Sequence, residues 1–196
     1  MKNPSEKSFL MKLYIVIGMS SVIFLGLLYL IVTGGTERIQ TIMLKKKYSI
    51  ELPYDDFDAY WDENLWKYCV PFEDAKDTLE YLQMKYVLGI ITNGPSKGQR
   101  NKLVKAGLDG FFDMKHVVVS GDYDYQKPDK RLFLQACSNL GVKPEESVYV
   151  GDIYANDILG SYQAGMTPIW IWTAGDRKQS TSVLTIHRIS DLKKIL

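Results

Sequence analysis

The chain has 196 residues, enough for one hydrophobic core with a small accessory region. Its 46% hydrophobic and 24% charged content excludes a disordered protein, and a net charge of +1 with no basic stripe among the aromatics removes the case for a nucleic-acid partner. Cys69 and Cys137 stand far apart and only His116 and His187 accompany them, so neither a disulfide framework nor a zinc-ligand spacing is present; both cysteines read as reduced, small hydrophobes.

Residues 1–12 form a polar tail carrying Lys2, Lys7 and Lys12. From Leu13 to Val32 there follow twenty residues without a charge, the length that crosses a bilayer as a helix. This run exceeds the usual apolar stretch of a cleaved signal peptide and ends in no clear cleavage site. The expectation is a single-pass, membrane-anchored protein with its anchor at 13–33; the alternatives are a buried strand and a cytoplasmic location. Lys45-Lys46-Lys47 rival the amino-terminal lysines and leave the orientation open.

Residues 34–71 read as a helical region. Ile39, Ile42 and Met43 share one face, Pro53 interrupts, and Phe57, Tyr60, Trp61, Leu65 and Trp66 follow as packing aromatics. Asp55, Asp56 and Asp58 belong to a first helical turn, where the helix dipole favours acids without any metal. Pro71 marks a boundary, and residues 72–196 alternate helix and strand. Glu73 to Lys85 is an amphipathic helix with Ala75, Leu79 and Leu82 on one face. Val87 to Ile91 is an apolar run typical of a parallel strand covered on both sides, closed by Thr92-Asn93-Gly94-Pro95-Ser96, with Ser96 as N-cap of a helix ending near Gly107. A second strand, His116 to Ser120, precedes Lys127-Pro128 and a helix over 129–140 stopped by Gly141.

A third strand, Ser147 to Val150, runs into Gly151-Asp152-Ile153-Tyr154-Ala155-Asn156-Asp157 and a helical pattern reaching Gly165. Pro168 to Trp172 is a fourth strand, and the tail supplies one more strand and a closing helix. Repeated βα units of this size imply an α/β, doubly wound parallel Rossmann-like sheet. Ligands bind such sheets at the carboxyl ends of the strands. There Thr92 offers a hydroxyl, the small-residue turn after it offers N–H groups, Lys127 offers a fixed charge, and Asp152 and Asp157 offer carboxylates. Donors, a cation and oxygen ligands for Mg2+ are what a phosphoryl site needs.

At these residues the sequence resembles the haloacid dehalogenase superfamily, in its small-capped, phosphatase-like subfamily. Ile90-Ile91-Thr92-Asn93-Gly94 is similar to its second motif, Gln126-Lys127-Pro128-Asp129 through Phe133 to its third, and Gly151-Asp152 through Asp157 to its fourth, continued by Gly160, Ala164, Gly165 and Met166. The resemblance implies that Thr92 and Lys127 are catalytic and that Thr92, Asn93, Gly94 and Lys127 bind substrate. It implies that Asp152 and Asp157 serve Mg2+, with Asp157 also positioning Lys127 or a metal-bound water. It further implies that residues 34–71 are a truncated helical cap on the 72–196 core and that the reaction is hydrolysis of a small phosphorylated metabolite.

One departure matters. The family's nucleophile ends its first strand in Asp-x-Asp, and that strand lies between the one ending at Thr92 and the one ending at Asp152. Val22-Ile23-Phe24-Leu25-Gly26-Leu27 has the strand character but Leu at both acidic positions. Asp56-Phe57-Asp58 has the letters without a preceding apolar strand. The expectation is a phosphatase-type hydrolase impaired by the missing nucleophile. The alternatives are a non-catalytic phospho-ligand-binding or interaction protein, associated with a membrane through residues 13–32, and an incomplete gene product.

Overall fold

A computed structural model describes residue 67, residues 69–172 and residues 182–196. The expected polar tail, the apolar run and nearly all of the expected cap, 34–71, lie outside the described residues.

The strands are short, apolar and parallel. β1 (Ile90–Thr92) pairs with β2 (Val117–Val119), Ile90 opposite Val117 and Thr92 opposite Val119. β3 (Val148–Gly151), β4 (Thr167–Ile171) and β5 (Leu184–Ile186) form a second sheet in that order, with Gly151 opposite Trp170 and Ile171 opposite Ile186. The side-chain period of two divides each strand between two cores. Ile90, Val117, Val119, Val148, Val150, Ile169 and Ile171 face one, and Ile91, Val118 and Tyr149 face the other. Both layers run across both sheets, so the two pieces belong to one doubly wound unit. Among the described residues no strand stands between β1 and β3.

Helices cover both faces. α1 (Ala75–Gln83) buries Ala75, Leu79 and Leu82, and α2 (Ser96–Ala106) buries Leu103 and Ala106, in the same layer as Leu192 of α5 (Leu192–Ile195). On the other face α3 (Lys130–Leu140) contributes Leu132, Phe133, Ala136 and Cys137, the i, i+1, i+4, i+5 stripe of an amphipathic helix. Asp129 caps α3 by accepting from the Arg131 N–H at 2.9 Å, and left-handed glycines, Gly107 and Gly141, stop α2 and α3. α4 (Leu159–Gln163) follows one π-helical turn, Tyr154–Ile158. Two details differ from the sequence reading. Ser96 is the first helical residue, behind Pro95 as the N-cap residue, and its hydroxyl accepts from the Arg100 guanidinium instead of capping. Val87 precedes the strand and is 40% exposed.

The expected membrane-anchored, single-pass localisation is corrected. Among the described residues no helix is long and apolar enough to cross a membrane. The longest described helices have 11 residues, or about 16 Å, roughly half the hydrocarbon thickness, and they are amphipathic rather than uniformly apolar.

Candidate active site

The carboxyl ends of β1 and β3 are joined through the loop that precedes α3. Asn93, just past β1, clamps the backbone of Lys127 in both directions: its Nδ2 donates to the Lys127 carbonyl at 3.1 Å, and its Oδ1 accepts from the Lys127 N–H at 2.9 Å. A carboxamide is suited to this because it carries an acceptor and a donor side by side. The clamp fixes where the Lys127 side chain begins.

Where that side chain ends is set by Asp157 and Tyr149. The Lys127 ammonium donates to Asp157 Oδ1 at 2.6 Å and to the Tyr149 hydroxyl at 3.1 Å, while Tyr149 donates to the same Oδ1 at 2.9 Å. The remaining oxygen, Oδ2, accepts from the Ile153 N–H at 2.9 Å. Lys127 is 8% and Asp157 1% exposed, so this ion pair has little solvent to screen it. Burial, and then the neighbouring Asp157 charge, push the Tyr149 hydroxyl well above its ordinary range, so it stays protonated and can keep donating.

The glycine that opens the fourth motif has a local explanation. A Cβ on Gly151 would lie 2.3 Å from Asp157 Cβ and 2.6 Å from its Cγ, so only glycine lets the Asp157 side chain fold back under the strand end. The chain does so through the π turn, in which Leu159 N–H reaches the Tyr154 carbonyl five residues back. Gly160 likewise admits Phe133 and the Pro128 carbonyl, which would stand 2.6 and 2.9 Å from a Cβ, and brings α4 against the start of α3 beside Lys127.

Asp152 is half-buried at the end of β3, and its carbonyl accepts from Trp170 Nε1 at 2.9 Å. Burial, with the nearby Asp157 charge added, raises its carboxyl from 3.8 to about 6, and Lys127 only partly opposes the rise. An extra positive charge here would relieve that penalty, so the donor set fits a hard divalent cation at Asp152. Asp157 fits less well, because both its oxygens already accept from protein donors. Among the described residues no group of three or more His, Cys, Asp or Glu side chains could hold a metal ion. A cation at Asp152 would therefore complete its shell with water and ligand oxygens.

The turn after β1 is tighter than its composition suggests. The Gly94 N–H, expected to face a ligand, donates to Ser120 Oγ at 3.0 Å, and the Gly94 carbonyl accepts from the Gly121 N–H at 3.1 Å. Gly94 therefore links the turn to the end of β2. Thr92 is half-buried, and its hydroxyl donates to Gln99 Oε1 at 3.2 Å. Tyr149, Gln99 and Ser120 were not singled out by sequence reasoning. Tyr149 sits in an apolar strand and Gln99 among polar helix residues. The one available signal was a hydroxyl on the central residue of a strand buried on both faces.

The haloacid dehalogenase-like hydrolase family profile matches residues 31–171. A glyceraldehyde 3-phosphate phosphatase from Methanothermobacter thermautotrophicus is 40% identical over 134 residues, covering 64% of this chain and 58% of that protein. A phosphoserine phosphatase from Thermus thermophilus is 38% identical over 108 residues, covering 55% of this chain and 42% of that one. The chain thus spans about half the length of these relatives. Among solved structures, a HAD phosphatase from Thermococcus onnurineus matches with TM-score 0.59 and 33% identity over 79% of this chain and 69% of that one. A HAD hydrolase from Bacillus subtilis, solved bound to magnesium, matches with TM-score 0.69 and 26% identity over 82% and 73%. With three motif ends linked through Asn93, Lys127 and Asp157, and a family profile covering most of its length, this chain belongs to the haloacid dehalogenase-like hydrolases.

Proposed function

We propose that the chain is a phosphatase-type member of this family that binds the phosphoryl group of a small phosphorylated metabolite together with Mg2+, and that its turnover is impaired for want of an Asp-x-Asp nucleophile closing an apolar run ahead of Thr92. The observation that carries the reading is the buried Lys127–Asp157–Tyr149 cluster beside Asp152. A lysine held this firmly is a preorganised positive charge, the kind of group that stabilises phosphoryl oxygens without reorganising.

In this reading Thr92 and the Asn93 N–H donate to phosphoryl oxygens and Lys127 neutralises their charge. Asp157 and Tyr149 position Lys127, and Gly94 shapes the turn from behind. Asp152 holds Mg2+, which when bound neutralises further phosphoryl charge. We read Asp157 chiefly as positioning Lys127, because its two oxygens accept from Lys127, Tyr149 and Ile153, with the expected metal role secondary. The substrate class is supported by the relatives. Enzymes for glyceraldehyde 3-phosphate, phosphoserine and N-acylneuraminate 9-phosphate all resemble this chain, which points to a shared phosphoryl site with varied leaving groups. Residues 34–71 as a truncated cap, on a core of 72–196, would then set the leaving group.

The sequence supports the reading of impairment: within the 196 residues given, the one Asp-x-Asp before Thr92 is Asp56-Phe57-Asp58, and no apolar run directly precedes it. Hydrolysis through an aspartyl intermediate needs such a carboxylate. A purely phospho-ligand-binding role is the second reading, favoured by the same observation. The test is hydrolysis of glyceraldehyde 3-phosphate, phosphoserine and a chromogenic phosphomonoester with Mg2+. The expected rate is close to background. Multiple turnovers that Asp152→Asn abolishes would overturn the impairment.

A further inference from the structure

Gln99 is a polar side chain only 8% exposed, on the first turns of α2. Its amide points back under the turn after β1, where Oε1 accepts from the Thr92 hydroxyl at 3.2 Å. Nε2 occupies the space a Gly94 side chain would need, 2.4 Å from an ideal Cβ. Gly94 is held at φ +135°, and its N–H and carbonyl are tied to Ser120 and Gly121, so the turn cannot retreat from the amide. Burying an amide is unfavourable unless its polar atoms are used. Here one of them is used on the hydroxyl of the residue that ends β1.

Threonine in general divides between staggered positions, and its single proton can be given to only one acceptor at a time. The other acceptor near Thr92 Oγ1 is the Asn93 carbonyl, at 3.5 Å, a longer and weaker contact. We infer that Gln99 is a positioning residue of the phosphoryl site, its buried amide fixing the orientation of the Thr92 hydroxyl; the inference rests on the reading of Thr92 as a phosphoryl donor. The residue type matters. A carboxamide has both an acceptor and a donor, so it can hold Thr92 with the proton taken, as here, or with the proton released to a ligand. A carboxylate can only take the proton, and a thioether is a weak acceptor with no donor.

The first measurement needs no ligand. In the full chain labelled uniformly with 13C and 15N, three-bond couplings from the Thr92 methyl carbon to its own N and carbonyl carbon report χ1. Wild type is expected to show one staggered position, Gln99→Met an average, and Gln99→Glu one position again. The second is calorimetric titration with inorganic phosphate and Mg2+ of wild type, Thr92→Val, Gln99→Met and the double variant. Each single change is expected to weaken binding roughly 2- to 10-fold, and the double variant should bind no more weakly than Thr92→Val alone. Wild-type couplings in Gln99→Met, or losses that add in the double variant, overturn the inference. A wild type that takes up no phosphate while Gln99→Met still frees Thr92 overturns the phosphoryl reading and supports the control of Thr92 by Gln99.

Discussion

Asp157→Asn should be among the most damaging single-atom exchanges in the described residues. Asp157 accepts three bonds, from Lys127 at 2.6 Å, Tyr149 at 2.9 Å and Ile153 N–H at 2.9 Å. Asparagine offers one acceptor oxygen, so its NH2 must face either the lysine and tyrosine donors or the Ile153 N–H. With Asp157 1% and Lys127 8% exposed, the lysine would be left with an uncompensated charge away from water. Breaking a buried pair this way costs about 3–5 kcal/mol. In a chain of this size that lowers Tm by about 2–4 °C per kcal/mol, or roughly 6–20 °C in all. Lys127→Met should cost less, because Asp157 keeps Tyr149 and Ile153 N–H as donors. Urea unfolding of the full chain measures all of this, and the slopes should stay equal while the midpoints move. An Asp157→Asn protein within about 1 kcal/mol of wild type would show that the Lys127 charge finds compensation elsewhere.

Three further outcomes follow from the same geometry. Asp152 is raised from 3.8 to about 6, so between those values the metal-free folded chain binds more protons than the unfolded one and loses stability as pH rises. Two pKa units correspond to at most ~3 kcal/mol, and Asp152→Asn should flatten the dependence between pH ~4 and ~7; parallel curves for the two proteins would contradict this. Tyr149→Phe removes a hydroxyl bonded to both members of the ion pair and should destabilise by about 2 kcal/mol in urea, with a cost that does not add to that of Asp157→Asn; full additivity would count against a shared network. Gly151→Ala should cost about 1–3 kcal/mol because its methyl would press on Asp157, and a wild-type midpoint would show that the turn can give way.

Much of this edge is legible in the sequence, because apolar runs that end in polar residues announce buried parallel strands. Thr92, Lys127, Asp152 and Asp157 are recognisable from their places after such runs or before Pro-Asp. What connects them is not legible. Tyr149 reads as strand, yet its hydroxyl joins Lys127 to Asp157. Gln99 reads as an ordinary helix residue, yet it turns inward because Gly94 leaves room. Gly94 reads as a free turn, yet Ser120 and Gly121, close only across the β1–β2 pair, take its polar groups. The helix expected directly after Asp152 begins instead with a π turn, in a stretch where the buried Asp157 carboxylate reaches back to Ile153. Each miss concerns a partner distant in the chain or a side chain whose direction depends on packing. The membrane-anchored expectation went too far for a different reason: an uncharged run of bilayer length indicates apolarity, not where a segment resides.

Whether Lys127 builds a phosphoryl site can be read from isothermal titration of the full chain with inorganic phosphate in the presence of Mg2+, with Lys127→Met as the comparison. Wild type is expected to take up phosphate saturably at millimolar concentration or below, and a Lys127→Met protein whose circular dichroism shows it folded is expected to lose that uptake. No uptake by wild type, or equal uptake by both, would contradict a phosphoryl site built on Lys127.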